Sequence, residues 1–286
     1  MNDRREVCMP VMNERFLAAL QRLPYFRRLL HHVYALHDEL DLIKSRMDVP
    51  DELFHRFQKE RDLDDYQEVY EREEPLVSVY VPTYNRCALL VERAVRSVLN
   101  QDYPNFELIV VGDHCTDNTA ELLAGIDDRR LRFVNLPERG AYPRSPEWRW
   151  MVAGISAVNH ALGMVRGDFI TQLDDDDEYT PDRLGCLVRF ARETRADVIW
   201  HPFWRETSSG KWQLHRAERF RRFHVTNGSV FYHRWFSSIL FDENAYMLRE
   251  PGDWNRFRKF VYLGARTLRY PHPLLRHYRE RNQTAP

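Results

Sequence analysis

Four consecutive aspartates followed by a glutamate, Asp174 to Glu178, form the stretch of the sequence best suited to chemistry. They come directly after Gly167 to Leu173, a largely apolar segment typical of a buried strand. Like charges a few ångströms apart repel by roughly 1 kcal/mol per pair even in water, so the run predicts a cation among the carboxylates. All-oxygen ligands suit Mg²⁺ or Mn²⁺. The structural alternative is an acidic turn that caps a helix beginning near Pro181.

Polar side chains also follow two other predicted strands, 76–81 and 106–111. After Pro82, which ends the first strand, come Thr83, Tyr84, Asn85 and Arg86, and Asp113 to Thr119 follow the second strand. In a parallel sheet these strand ends meet the acidic run at one edge, where ligands bind. A tyrosine face, an aspartate that accepts from a ring N–H and a metal for a diphosphate predict a nucleotide site there. The sequence has neither common Gly-rich phosphate loop, which argues against a dinucleotide enzyme or a P-loop ATPase.

The elements that must position these residues alternate between strand and helix. Helical spacing is predicted for 87–100, 117–125, 148–165 and 181–194, and further strands for 131–134 and 197–200. Strands that alternate with helices predict the α/β class, with a mostly parallel sheet wound by right-handed crossovers.

Composition limits the classes of partner and compartment. The 286 residues carry a formal net charge of −1, which gives no support for a nucleic-acid partner. The four cysteines, Cys8, Cys87, Cys115 and Cys186, have no paired spacing, so neither a disulfide framework nor a zinc site is indicated. A reducing cytoplasm fits this pattern. Without an apolar span of bilayer length or a signal-peptide core, we expect a protein that is soluble or attached peripherally at the inner face of the membrane.

Residues 1–74 have a different pattern from the rest of the chain. Apolar residues step by three and four, which predicts two or three amphipathic helices. These residues are Phe16, Leu20, Leu23, Val33, Leu36, Leu40, Ile43 and Met47. Their stripe must pack on the main domain, on a second copy of the chain or on a membrane surface. The acidic stretch 62–74 is low in apolar residues, which suits a linker or an exposed helix end.

The motifs of residues 76–280, in this order and spacing, resemble those of glycosyltransferase family 2, the inverting nucleotide-sugar transferases with the GT-A fold. The segments that carry the resemblance are Val77 to Arg86, Val110 to Thr119, Ala157 to Leu162, Gly167 to Leu184 and Glu250 to Asn255. The resemblance implies a GT-A domain over 75–286, with a nucleotide-binding half (75–178), an acceptor-binding half (179–286) and an N-terminal helical extension.

The resemblance also implies roles for individual residues. Asp253 stands in register with the catalytic base, and Asp176 with the direct metal ligand. His277 is a candidate second ligand for Mn²⁺ or Mg²⁺. The donor-binding residues would be Pro82, Thr83, Tyr84, Arg86, Asp113, Asp174 and Asp175, with Asp113 recognising the base and Asp174 or Asp175 nearer the ribose.

Three positions depart from the family pattern. Gly112 stands where the family commonly has an aspartate, Val158 where an arginine is frequent, and Gly252 where an acid usually precedes the base. A cation for the diphosphate would then come from elsewhere, with Arg144 or Arg149 as candidates. All seven tryptophans lie in the second half of the chain, so we place the acceptor site between residues 201 and 254 and single out Trp204 and Trp254.

The implied reaction is displacement at the anomeric carbon of a UDP-, GDP- or dTDP-sugar by an acceptor hydroxyl, with inversion. Asp253 would take the proton and the metal would neutralise the departing diphosphate. The expected acceptor is a surface glycan or its lipid-linked precursor. Rival interpretations are a catalytically silent binding module that partners another enzyme, a two-carboxylate glycoside hydrolase and a nucleotidyltransferase.

Overall fold

A computed structural model describes residues 24–279 of the chain. The predicted helical positions Phe16, Leu20 and Leu23 lie outside the described residues. Two compact units divide the chain after Asp48. In the described residues, no helix is both long enough and apolar enough to span a bilayer.

The first unit contributes one helix, α1 (Pro24–Asp48), which confirms the helix predicted from the spacing of Val33 to Met47. Its sequence has no acidic residue in the first turn, and Arg46 lies in the last turn, where a cation favours the helix dipole. Exposed apolar side chains of α1 include Leu29, Val33, Leu36, Leu40, Ile43 and Met47.

The second unit contains two β-sheets and the remaining helices. Its strands are β1 (Val77–Thr83), β2 (Phe106–Gly112), β3 (Leu131–Asn135), β4 (Phe169–Gln172), β5 (Glu178–Tyr179), β6 (Val198–Trp200), β7 (Phe203–Glu206), β8 (Trp212–His215), β9 (Val230–His233), β10 (Thr267–Arg269) and β11 (Leu275–His277). Its helices are α2 (Asp51–Glu60), α3 (Asp64–Glu71), α4, α5 (Thr119–Ala124), α6 (Pro146–Val152), α7 (Ile155–Leu162), α8 (Arg183–Thr194) and α9 (Gly252–Tyr262). Helix α4 joins Cys87–Leu89, the π-helical Leu90–Val95 and Arg96–Leu99.

The larger sheet has seven strands within residues 24–279, in the order β10-β6-β9-β4-β1-β2-β3. Strands β4, β1, β2 and β3 are parallel to their neighbours in this group, and β9 runs antiparallel between β4 and β6. The side chains of β2 are buried along its whole length, as expected for a parallel strand covered on both faces. This architecture confirms the predicted α/β class and mostly parallel sheet.

A second sheet of four strands, in the order β5-β11-β7-β8 within the same part of the chain, was not predicted. Its strands are short, two to four residues, so their alternation is too brief to stand out in the sequence. The sheet carries β11, and therefore His277, to the end of the acidic run.

Helices α2 and α3 belong to the second unit, which begins at Val49. The predicted linker or exposed helix end at 62–74 is wrong, because Tyr66, Val69 and Tyr70 of α3 are buried. The Tyr66 hydroxyl donates to buried Asp197 at 2.7 Å, and its ring stacks on His233 with centroids 3.7 Å apart. Tyr66, Val69 and Tyr70 form an apolar i, i+3, i+4 face that is hard to recognise in the sequence because most of the other α3 residues are acidic.

The single helix predicted over 148–165 is also wrong. Gly154 takes φ +75° and separates α6 from α7. A left-handed backbone is inexpensive for glycine and ends a helix there. The break matters for the site, because a Cβ on Gly154 would lie 3.7 Å from Pro82 Cβ at the end of β1.

Candidate active site

The register of the sheet brings the acidic run to the end of β1. Tyr80 pairs with Gln172, so that three residues further along Asp175 comes level with Thr83. The Thr83 hydroxyl donates to Asp175 Oδ2 at 2.8 Å. Three of the predicted donor and metal residues meet at Arg86, whose Nη1 lies 3.2 Å from Asp175 Oδ1 and 3.0 Å from Asp176 Oδ2.

The carboxylates outnumber the cations around them. Burial raises the pKa of Asp174 to about 8, with further contributions from the charges of Asp177 and Asp176. Burial also raises the pKa of Asp175 to about 6, although Arg86 opposes the shift. Gln172 Nε2 donates to Asp174 at 2.9 Å, and Gln172 Oε1 is buried without a hydrogen-bond partner. The site therefore disfavours the ionised form of Asp174 and contains an unpaired oxygen.

Asp177, the last aspartate of the run, contacts the second sheet. It is fully buried, accepts from the backbone N–H of Tyr278 at 2.9 Å and lies 2.8 Å from His277 Nδ1. Burial lowers the pKa of His277, but the charge of Asp177 outweighs it and raises the pKa to about 9. The predicted ligand His277 thus contacts Asp177 rather than Asp176 in this structure.

The predicted base-recognition residue, Asp113, is held by the loop after β3. Gly140 N donates to its Oδ1 at 3.0 Å, and the Tyr142 hydroxyl donates to its Oδ2 at 2.7 Å. Arg139 lies over the ring of Tyr84 at 3.6 Å, and its Nε is 3.8 Å from Asp113 Oδ2. Arg139 was not predicted as a site residue, because one arginine in a loop gives no periodic signal.

Asn85 fixes the turn between β1 and α4. Its φ is +50°, a conformation that asparagine tolerates better than most residues. Its side-chain oxygen accepts from Thr116 N at 2.8 Å, which ties the turn after β1 to the turn after β2.

The glycine at position 112 has a structural reason. A Cβ there would lie 2.5 Å from Asn135 Oδ1 and 3.0 Å from Cys115 Sγ. The Asn135 amide fills this space, accepts from Cys115 N at 2.7 Å and donates to Cys115 O at 2.8 Å. Asn135 on β3 therefore holds the turn that leads to Asp113.

Asp253 lies in the first turn of α9, where its Oδ1 accepts from Trp254 N at 2.6 Å. It is half-buried, and burial raises its pKa to about 6. Gly252 before it packs on α7, since a Cβ there would lie 2.7 Å from Ile155 Cδ1. The next residue of α7, Ser156, lies against Gly140 and Tyr142. Helix α7 therefore connects Asp253 to the Asp113 side of the site.

The other predicted site residues are distributed as follows. Trp254 is 5% exposed and packs near Phe220, so its burial contradicts an acceptor-binding role for it. Trp204 is 37% exposed, on β7. The Arg149 guanidinium donates to the carbonyls of Pro143 and Arg144, which orders the loop.

A family comparison identifies the chain. The model of glycosyl transferase family 2 matches residues 78–251, which is more than half of the sequence. The chain belongs to this family. The match includes the strand ends and the acidic run and stops two residues before Asp253.

One relative is the GalNAc(5)-diNAcBac-PP-undecaprenol beta-1,3-glucosyltransferase of Campylobacter jejuni, 36% identical over 128 residues, or 44% of this chain and 37% of the relative. Another is the chondroitin synthase of Pasteurella multocida, 33% identical over 129 residues, or 44% of this chain and 12% of the relative. The family 2 chain therefore spans well under half the length of these relatives.

Solved structures share the fold. Staphylococcus aureus TarS 1–349 in complex with UDP-GlcNAc superposes with a TM-score of 0.58 at 20% identity, over 73% of this chain and 60% of that one. The mannosyltransferase PcManGT of Pyrobaculum calidifontis, in complex with GDP-Man and Mn²⁺, gives a TM-score of 0.53 at 17% identity, over 84% and 68%. These similarities confirm the predicted GT-A fold of the family 2 chain.

The residues present in the family 2 site fit a hard divalent cation. A bound cation would give the partnerless Gln172 Oε1 a contact and would favour the ionised form of Asp174 and its crowded neighbours. Among residues 24–279 no three His, Cys, Asp or Glu side chains already form a complete metal-binding group. Protein carboxylates supply only one or two ligands to Mg²⁺ beside substrate phosphates, so a complete protein cage is not expected.

Proposed function

We propose that the chain transfers a sugar from a nucleotide-diphosphate sugar to an acceptor hydroxyl, with inversion, in the biosynthesis of a surface glycan or polysaccharide. One observation carries the proposal. Asp253, in register with the family's base, is half-buried with a pKa raised to about 6 and is joined to the nucleotide side of the site through α7. A base is most effective when its pKa is close to the working pH.

The nucleotide-binding half, residues 75–178, provides the donor site. Tyr84 offers a ring face that Arg139 already covers, so a base would share or displace this cation. Asp113 accepts two hydrogen bonds from the loop, and a carboxylate has about four acceptor positions, which leaves room for a ring N–H. UDP, GDP and dTDP all present such a group.

The phosphates lie, in this proposal, beside Arg86 and the acidic run. Asp176 would hold Mn²⁺ or Mg²⁺, and His277 in its neutral form would be the second ligand. The bound ion supplies charge neutralisation for the leaving diphosphate. Thr83 and Arg86 keep Asp175 oriented, and Asp174 or Asp175 receives the ribose hydroxyls.

The acceptor reaches Asp253 from the half that follows residue 178. Trp148 on α6, which precedes that half, and Tyr246 within it form an aromatic pair with ring centroids 5.7 Å apart. Trp148 is 47% exposed and Tyr246 is partly buried. Trp148 is one helical turn before Met151, whose carbonyl would lie 3.3 Å from a Cβ on Gly252. Flat rings beside the base suit a sugar face of a glycan or lipid-linked acceptor. This pair replaces Trp254 as the aromatic contact that we expect.

Asp253→Asn tests the proposal. Because an amide cannot accept the acceptor's proton, we expect turnover to fall at least about 10²-fold while the melting shift caused by the nucleotide with Mn²⁺ is unchanged. For the unaltered chain, kcat/KM should fall as the pH drops through about 6, because protonation removes the base. Glu243→Gln, an exposed substitution in the same region, is the control and should leave both readouts unchanged.

Two outcomes would count against this assignment. Near-normal turnover by Asp253→Asn would remove Asp253 as the base. If none of UDP, GDP and dTDP, with or without Mn²⁺, raised the melting temperature of the unaltered chain, the silent binding module would become the better interpretation, since a ligand at about 100 times its Kd stabilises by roughly 2.7 kcal/mol.

A further inference from the structure

Helix α1 carries a narrow apolar stripe that we call the α1 seam. The seam consists of Leu29, Val33, Leu36, Leu40, Ile43 and Met47. Each of these side chains is exposed, from 37% for Val33 to 82% for Met47. Successive members are four, three, four, three and four residues apart. This alternation has a period of 3.5 residues, which is typical of a coiled-coil seam and narrower than the stripe of a helix that packs on a globular core.

We propose that the α1 seam pairs with the same seam of a second copy of this chain, in a parallel, in-register, two-stranded coiled coil. In the heptad notation Val33, Leu40 and Met47 take position a, and Leu29, Leu36 and Ile43 take position d. Val33 at a with Leu36 at d is the combination that favours two strands, whereas Leu40 at a with Ile43 at d favours a higher number. Each side chain then meets its own copy across the two-fold axis.

The charges beside the seam are complementary in this arrangement. Glu39 takes position g and Lys44 position e, five residues later. In a parallel pair a g residue faces the e residue of the next heptad on the other helix, so Glu39 of each chain faces Lys44 of the other. Opposite charges at g and e set orientation and register. The pairing occurs twice because the dimer is symmetric.

The charge of α1 favours a second copy over a membrane surface. The helix has as many basic as acidic residues: Arg27, Arg28, Lys44 and Arg46 against Asp38, Glu39, Asp41 and Asp48. A helix that lies on an anionic bilayer is instead rich in Lys and Arg on its polar face.

Sedimentation of the full chain with a pair of matched variants tests the dimer. The unaltered chain should sediment at twice the 34.4 kDa of one chain. Leu36→Glu places two carboxylates opposite each other in the seam and should give the monomer. Leu42→Glu makes the same change at a leucine of similar exposure, 57% against 64%, outside the seam, and should stay dimeric. Neither position belongs to the proposed active site, so this result is independent of catalysis.

Cross-linking tests the orientation. A disulfide requires Cα atoms within about 7 Å, so Leu29→Cys should cross-link two chains under oxidation only if the helices are parallel, whereas Leu42→Cys should not. A dimer without the Leu29→Cys cross-link would overturn the parallel arrangement.

Other results would overturn the dimer itself. Because association follows mass action, the dimer would be excluded if the chain stayed monomeric up to about 100 µM. Equal effects of Leu36→Glu and Leu42→Glu would also exclude the seam as the interface. A monomer that co-sediments with vesicles of phosphatidylcholine and phosphatidylglycerol would assign the seam to a bilayer instead.

Discussion

The two ends of β4 carry aspartates in opposite electrostatic situations, one buried and one half-buried. At the first end, Asp168 is 2% exposed and accepts from Arg72 Nη1 at 2.6 Å and from Leu76 N at 3.0 Å, with Arg234 Nη1 3.5 Å away. At the other end Asp174 receives a hydrogen bond from Gln172, and burial and its acidic neighbours raise its pKa to about 8. Asp168 thus has cationic partners within the fold, whereas the charged neighbours that act on Asp174 are mainly acidic.

This difference separates a structural from a functional carboxylate. Removing one partner of a buried charge pair is destabilising, because the charge that remains is left uncompensated. A charge left unneutralised at a strand end destabilises the empty protein and is retained when a ligand supplies the missing partner. The two ends of β4 should therefore respond in opposite ways to the loss of a carboxylate.

Asp176→Ala should produce the largest effect. It removes the proposed metal ligand, and metal charge stabilisation of several kcal/mol corresponds to a fall in turnover of about 10³-fold. The Mn²⁺-dependent melting shift with nucleotide should disappear. The empty protein should melt at the same temperature or higher, since Arg86 keeps its contact with Asp175.

Two results with Asp176→Ala would contradict this prediction. If donor binding and turnover by Asp176→Ala kept their full Mn²⁺ dependence, the ligand would have to be sought elsewhere among the carboxylates. If instead the empty protein melted far lower, the acidic run would be structural, and the contrast with Asp168 would be lost.

Asp168→Asn should produce the reverse pattern. The amide has one acceptor oxygen and places an NH₂ group near donors, so a charge-assisted hydrogen bond is lost at a buried site, a cost of about 2 kcal/mol. Chemical denaturation should report this loss, while turnover per folded chain stays unchanged. Exposed Asp62→Asn is the matched control. If an Asp168→Asn variant were fully stable but inactive, Asp168 would have a functional rather than a structural role, which contradicts the assignment of the two ends of β4.

The fold was predictable to the extent that local patterns carry it. Apolar strands such as Val77 to Val81 and helices with clear spacing were located from sequence, and they imply the parallel sheet and its ligand-binding edge. Residues whose burial depends on tertiary packing were not. Tyr66 and Tyr70 lie among acidic neighbours, and only their contacts with Asp197 and His233 reveal that α3 belongs to the core.

The candidate site follows the same rule. The positions at strand ends, Thr83, Arg86, Asp175 and Asp176, were found because sequence order fixes them, and they meet in the structure. Arg139 lies on a loop, where nothing in the local sequence fixes the direction of a side chain. The replacement of an acid by Gly112 likewise becomes understandable only when Asn135 is seen to occupy the space.

His233, beside the matched end of β4, gives the smallest predicted effect and sharpens the comparison through pH. It pairs with Phe169 in the sheet register, next to Asp168. Trp235 N donates to its Nδ1 at 3.1 Å, so the neutral ring carries its proton on Nε2, 3.2 Å from the Tyr66 carbonyl. Burial lowers its pKa to about 3.

A second proton on His233 would have to lie on Nδ1, against the N–H of Trp235. The unfolded chain therefore binds this proton before the native state does, and the stability that neutral His233 provides falls as pH drops below its ordinary pKa of about 6.5. Between pH 6.5 and 5.5 this group alone should cost about 1 kcal/mol of unfolding free energy.

Other titrating groups also change the stability with pH. The measurement is therefore the difference between the unaltered chain and His233→Asn in how steeply the unfolding free energy changes with pH, obtained by denaturation at each pH. The variant should lose less stability on acidification. Equal slopes would mean that His233 is protonated in the native state, and that this end of β4 is less well matched than its hydrogen bonds indicate.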